Sequence, residues 1–287
     1  MSKSSGSLER SSVRSGLKLL PQNLKQSLTR WGLALSILSS TVVGSAFVGI
    51  HPAMALSEEQ LMQKLQQVPV FTITNAEGAP LVASVPNGQG NNTGNSSVTG
   101  VFISQQDAQA FIEKLKTQNP QLANTVRVTP VPLGEVYRMA EANQSNPERV
   151  IFDLVPMQRQ VDSALTLLRQ EGQQVNQFPG VPLFYASGGP DKGYLTIQRG
   201  NEQVIPFFFN KEDLMSLIER YKQQQPNQQL SNVEIEVANL QQVIEVMKTS
   251  NDQQLDKIIL VPARESLDYV RSLQQSGQQQ PARPPQR

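Results

Sequence analysis

The sequence predicts an α/β (α+β) fold in which one strand-and-helix unit is used twice in tandem. The two halves are related by pseudo-twofold symmetry, with helices covering the sheets. Three observations carry this. At 287 residues the chain exceeds one small domain. It also repeats itself in one register. VFISQQD at 101–107 lies over FFFNKED at 207–213, FIEKLK at 111–116 over LIERYK at 217–222, and Pro120 over Pro226, all 106 residues apart. Val155-Pro156 falls on Val261-Pro262 at the same spacing, and Leu133, Val136 and Met139 fall on Leu240, Val243 and Val246 at 107. Finally, each copy alternates short β-branched or aromatic runs with segments of helical period.

A helix at 58–67 precedes the first copy. Strands are predicted at 68–73, 80–85 and 98–103 in that copy, and at 181–185, 193–199 and 203–209 in the second. The starts, Val68-Pro69-Val70-Phe71 and Val181-Pro182-Leu183-Phe184, are 113 apart because the first copy carries a longer, flexible Gly/Asn/Ser loop at 86–97. Ser104 or Asn210 caps the next helix, and Asp107 or Asp213 sits three residues on, near the positive helix end. That helix is expected to bury Ala108, Phe111, Ile112 and Leu115 in one copy and Leu214, Leu217, Ile218 and Tyr221 in the other. A strand at 125–131 or 231–237 and a helix at 133–142 or 240–248 follow. The last strand, 149–155 or 257–261, runs into a third helix, 157–173 or 263–275, the former joining the halves. The first repeat is therefore 56–156 and the second, with the linking helix, 157–275; the Gln-, Pro- and Arg-rich tail at 276–287 is expected to be disordered.

Residues 1–55 read as a signal peptide. An uncharged apolar run at 31–50 follows basic residues and precedes Ala53-Met54-Ala55, so cleavage is expected after Ala55. The alternative is an uncleaved anchor, but Gly32, Gly44 and four serines weaken the run as a span. With no cysteine there is no lipid attachment, and without a twin-Arg pair the general secretory route is favoured.

Removing the leader changes the chemistry. The net charge of +1 hides six basic residues against Glu9 in the first 55; the rest carries 19 basic and 23 acidic residues. A net −4 surface does not neutralise phosphates, so no nucleic-acid partner is expected. His51 and Trp31 are the only residues of their kinds, and both fall in the leader. Without His or Cys, the usual nucleophilic triads and zinc sites are out of reach, so no enzyme activity, metal or cofactor is expected. Asp162 and Asp268 are repeat-equivalent and form a carboxylate pair on paper; the simpler reading makes each a helix-start acid. Ser187-Gly188-Gly189-Pro190-Asp191-Lys192-Gly193 leads into a strand rather than a helix, so it reads as a turn, not a phosphate loop. Pro206-Phe207-Phe208-Phe209 sends aromatics to both faces of one strand: either that strand is buried on both sides, or one face opens onto an apolar groove.

The Val-Pro-x-Phe starts, the Ser/Asn-x-x-Asp helix openings and the Val-Pro-x4-Val/Leu-Asp endings resemble the 22-kilodalton Tic family, over nearly all of 56–275. That family occurs at the chloroplast inner-envelope translocon and has cyanobacterial relatives. The resemblance implies two similar halves with concave apolar pockets. It implies a periplasmic protein, with the thylakoid side as a second location, only peripherally membrane-associated. The role it implies is chaperone-like: assisting precursor transit and outer-membrane biogenesis beside the outer-membrane β-barrel assembly pore. The leader's single apolar core suits bacterial secretion and hence a cyanobacterial type. On this reading Val70, Phe71, Phe102, Leu183, Phe184, Phe207 and Phe209, all apolar strand positions, line grooves that hold unfolded polypeptides without ATP. Core packing produces the same set of residues. Two other readings are a structural adaptor docked on the assembly pore, and a carboxylate-only envelope hydrolase built on Asp162 and Asp268.

Overall fold

A five-stranded and a six-stranded sheet carry the fold. The computed structural model describes residues 56–85, 96–146, 149–188, 193–224, 233–250, 252 and 254–278. The leader, most of the loop at 86–97, the turn at 189–192 and the tail beyond Gln278 lie outside the described residues.

Ser57 opens helix α1 (Glu58–Gln66) with a capping box, its hydroxyl accepting from the Gln60 N–H while the Gln60 side chain accepts from the Ser57 N–H. Strands β1 (Pro69–Asn75), β2 (Ala83–Val85) and β3 (Ser96–Phe102) follow. Ser104 accepts from the Gln106 N–H and starts α2 (Gln105–Gln118), which ends at the short helix α3 (Pro120–Ala123). Then come β4 (Val126–Pro132), α4 (Leu133–Asn143) and β5 (Val150–Val155). Helix α5 (Gln158–Gln170) leads to the second half: β6 (Pro182–Gly188), β7 (Gly193–Tyr194), β8 (Ile197–Arg199) and β9 (Glu202–Phe208). It continues with α6 (Lys211–Gln224), β10 (Glu234–Asn239), α7 (Leu240–Thr249), a 3-10 turn at Leu255–Lys257, β11 (Ile258–Val261) and α8 (Arg264–Gln278).

The two sheets repeat one another strand for strand. In the first, β1 pairs antiparallel with β4 and β3, and β3 pairs parallel with β5. In the second, β6 pairs antiparallel with β10 and β9, and β9 pairs parallel with β11. Even single hydrogen bonds recur: Leu133 N–H to Val68 O at 2.8 Å, and Leu240 N–H to Val181 O at 2.9 Å. The extension at 193–199 is broken into β7 and β8, which pair with β6 and β9 respectively. Helix α8 runs three residues into the expected tail.

Each sheet is covered by a helix that follows one of its own strands, α2 after β3 or α6 after β9, and by a second helix that follows the last strand of the other sheet. Helix α5 leaves the first sheet and packs on β6 and β10, where Ala164 and Leu168 join Phe184, Phe208, Leu214 and Val237 in one core. Helix α8 leaves the second sheet and packs on β1, where Tyr269 meets Phe71, Ile73, Phe102 and Ile112. The exchange is locked by polar contacts. Gln160, 1% exposed, accepts from the Lys211 N–H at 3.0 Å and donates to Glu212 Oε2 at 2.8 Å, tying α5 to the start of α6. Ser266, also 1% exposed and 106 residues on, donates to Ile103 O at 3.3 Å, just before α2. The first residue of α8, Arg264, donates its N–H to Asp213 Oδ2 at 3.2 Å, an acid at a positive helix end.

Between the halves, α1 touches α4, α7 and β11. Lys64 on α1 donates to Asp256 O at 2.8 Å and Ile258 O at 2.9 Å, and its partial burial lowers its pKa. Lys248 on α7 reaches Glu141 on α4 at 3.2 Å and lies 5.4 Å from the Tyr137 ring centroid.

Candidate polypeptide-binding surface

The apolar residues read from the sequence as groove-lining are interior. Val70, Phe71, Leu183 and Phe184 are fully buried, Phe207 and Phe209 are 1% exposed, and Phe102 is 6% exposed. Strand β9 lies between β6 and β11, so its neighbouring aromatics are buried on both faces. Phe207 stacks on Tyr185 at 4.7 Å between ring centroids, while Phe208 joins the core under α5 and α6. These seven apolar strand positions therefore belong to the packed core. Strand periodicity reports which side chains leave the sheet together, not whether a helix from the other half lies over them.

Among the described residues the exposed large apolar side chains are Phe111, Met215 and Leu273 on helices α2, α6 and α8, Ile151 on β5 and Val82 just before β2. Phe111 on α2 was expected to be buried by helical period, yet it is 43% exposed, one edge resting against Phe102 with centroids 5.7 Å apart. Leu273 on α8 is 41% exposed. Both helices cover the same side of the first sheet, since Ala108 and Ile112 of α2 and Tyr269 of α8 share one core with Phe71 and Phe102. The Tyr269 ring meets Phe71 edge-on at 5.7 Å. Beyond Arg271 every described side chain of α8 is exposed, so the helix is anchored at its first turns and stands free at its end. Leu81, Val126, Val128 and Val155 remain half-buried at the margins of this core. The equivalent side of the second sheet is better sealed. Val175 and Phe178, in the segment after α5, pack against its core as well as the two helices. No signal in the amino-acid order alone separates these two sides, because the difference lies in where the exchanged helices and their flanking loops land.

The opposite side of the second sheet holds a polar element. Ser187 donates to Glu236 Oε1 at 3.0 Å, with both residues at 4% exposure. Burial, reinforced by the neighbouring Tyr194, Glu236 and Glu171, pushes the Tyr185 phenol well above its ordinary pKa. Tyr185 therefore stays neutral and serves as an aromatic platform between Tyr194 and Phe207.

Asp162 and Asp268 are both exposed and lie on helices that cover different sheets. Each is engaged within its own helix: Asp162 accepts from Gln158 Nε2 at 3.0 Å, and Asp268 pairs with Arg271 at 3.2 Å. Neither is in the first turn of its helix; in α8 that place belongs to Glu265. Among the described residues, no group of three or more acidic or histidine side chains could hold a metal ion, and no helix is long and apolar enough to cross a membrane.

A family model described as the Tic22-like family matches residues 13–272. Among curated proteins, the chain is 26% identical to Protein TIC 22, chloroplastic, of Arabidopsis thaliana over 77% of this chain and 75% of that protein. It is 24% identical to the Pisum sativum protein of that name, over 56% of each. Among solved structures, Anabaena Tic22, described as protein transport, superimposes with a TM-score of 0.67 at 37% identity, over 80% of this chain and all of that one. Tic22 from Plasmodium falciparum, at 24% identity and a TM-score of 0.57 over 75% of this chain and 98% of that one, shares the fold.

Proposed function

The chain belongs to the Tic22-like family, and from that premise we propose that it acts in protein transport by binding polypeptides rather than by catalysis. It is exported, cut after Ala55, and works in the periplasm as an ATP-independent, chaperone-like factor. It shields apolar segments of unfolded precursors, including outer-membrane proteins on their way to the barrel assembly pore. The observation that carries this reading is the incomplete cover over the first sheet, where Phe111 and Leu273 stand more than two-fifths exposed on the two helices of one core. Exposed apolar side chains on helices that are not sealed against a neighbour suit weak, sequence-tolerant contact with unfolded chains.

The test is light scattering of an unfolded outer-membrane barrel protein diluted into buffer with and without the purified chain. Suppression near equimolar ratio, reduced in the double variant Phe111→Ser/Leu273→Ser, supports the proposal. No suppression beyond that of an inert protein of equal charge overturns it and leaves the adaptor reading, in which the chain docks on the assembly pore without holding clients.

A further inference from the structure

The two sheets have topologically equivalent outer strands, β5 and β11; a helix packs against each, α4 against β5 and α1 against β11, yet their outward peptide groups are met differently. In a parallel ladder alternate residues bond to alternate sides. The Ser97 N–H bonds to Arg149 O at 3.2 Å and the Ile103 N–H to Val155 O at 3.1 Å, so the odd-numbered residues of β5 serve β3. Val150, Phe152 and Leu154 therefore aim their peptide groups away from the sheet. Asn143 Nδ2 donates to Val150 O at 2.8 Å. Among the described residues, nothing pairs with the outward groups of Phe152 and Leu154.

On β11 the same positions are occupied. The Phe209 N–H bonds to Val261 O at 3.1 Å, so Ile258 and Leu260 face outward. There α1 packs against the strand and the Lys64 ammonium donates to Ile258 O at 2.9 Å. Ile258 and Leu260 are 4% and 5% exposed, whereas their equivalents Phe152 and Leu154 are half-buried and Ile151 between them is 41% exposed. The linking helix that would cover β5 by analogy with α1 has gone to the face of the second sheet. Two other outer strands are guarded by sequence: β4 carries Pro130 and Pro132, which remove donors, and β10 carries Glu234 and Glu236. Strand β5, VIFDLV, has no proline and a single charged side chain, the exposed Asp153.

We propose that β5 is a strand-addition site, where an extended polypeptide segment pairs with the outward peptide groups of Phe152 and Leu154 and lays alternate apolar side chains beside Ile151. Backbone pairing supplies affinity without demanding a particular sequence. A second copy of this chain is the poorer occupant. Antiparallel self-pairing centred on Asp153 sets two Asp153 carboxylates directly opposite each other, which such ladders disfavour, and centred on Phe152 it sets each Asp153 carboxylate against the apolar Ile151 of the other copy. The inference deepens the polypeptide-binding reading by giving it a site and a mode.

The experiment uses a fluorescein-labelled peptide of alternating Val and Thr, about ten residues long, the length of a membrane-barrel strand. It is measured by fluorescence anisotropy against the purified chain. A second peptide of the same sequence is N-methylated at every other residue, which removes the donors on one edge. Hydrogen exchange of the Phe152 and Leu154 amides is read in parallel. The expected result is binding that weakens about tenfold or more on N-methylation and in Ile151→Lys, with both amides slowed by the peptide. Phe152→Pro, which removes an outward donor together with a half-buried ring, weakens binding similarly; Ile151→Lys, at an exposed position, keeps the test decisive if the proline variant fails to fold. Equal affinity for the methylated peptide, or unchanged amide exchange, overturns the proposal. So does protection of these amides in the peptide-free chain together with a dimer in sedimentation, which assigns the edge to self-association. If the wild-type chain suppresses aggregation and Ile151→Lys does so equally, the edge proposal falls while the transport reading stands.

Discussion

Gln160→Glu tests the helix exchange with almost no change in shape. Gln160 is 1% exposed and bridges two halves of the fold, accepting from the Lys211 N–H and donating to Glu212 Oε2 at 2.8 Å. In the variant the accepting oxygen is kept, but the donor becomes an oxygen facing a carboxylate. Two charges at that separation repel by about 6 kcal/mol even at an effective dielectric near 20, so the buried carboxyl takes up a proton instead. The cost of holding a glutamate of unfolded pKa about 4.3 protonated at pH 7 is roughly 4 kcal/mol, and this bounds the loss. The folded pKa is raised above the unfolded one, so the folded state binds more protons. The deficit is therefore complete above the folded pKa and shrinks as pH falls towards the unfolded value. Urea unfolding of wild type and variant across that window reads it directly as a difference in midpoint at constant slope. A variant as stable as wild type near neutrality, or a deficit that does not shrink on acidification, would refute the placement of Gln160 as the buried link between α5 and α6.

Three further outcomes are expected. Tyr269→Ala strips the edge contact with Phe71 and costs about 2 kcal/mol; hydrogen exchange should quicken in α8 and beneath it while α6 stays protected. Lys64 has a lowered pKa because burial disfavours its charge, so wild-type stability rises as pH climbs from that lowered value towards the unfolded value near 10.4; alkaline unfolding curves of Lys64→Met should lack this rise. Gly180→Ala forces a side chain onto a backbone at φ +78° and a Cβ to within 2.6 Å of Gln241 Oε1, so calorimetry should show a loss of about 2 kcal/mol or more.

Much of this protein is local and was therefore readable in advance. Ser104 and Asn210 each place an oxygen where helix-start N–H groups need an acceptor, so α2 and α6 begin where the caps predict. The continuous apolar and β-branched run of β1, buried on both faces, and the helical period of α7 put Phe71, Leu240, Val243 and Met247 inside. The 106-residue register announced two copies, and the pairings repeat accordingly. Phe111 departed from its helical period because the surface it faces is only partly covered. That shortfall follows from tertiary choices: α8 returns to cover the first sheet, α5 crosses to the second, and α1 packs against β11. Sequence by itself determined the elements, their duplication and the residues that must leave water, because helices, strands and caps are set by neighbours along the chain. Which element lies over which face, and hence which apolar residues are core and which surface remains for a partner, only the tertiary structure decided. Those contacts join residues far apart along the chain, 51 positions for Gln160 and Lys211 and 163 for Ser266 and Ile103, and nothing in a local pattern encodes them.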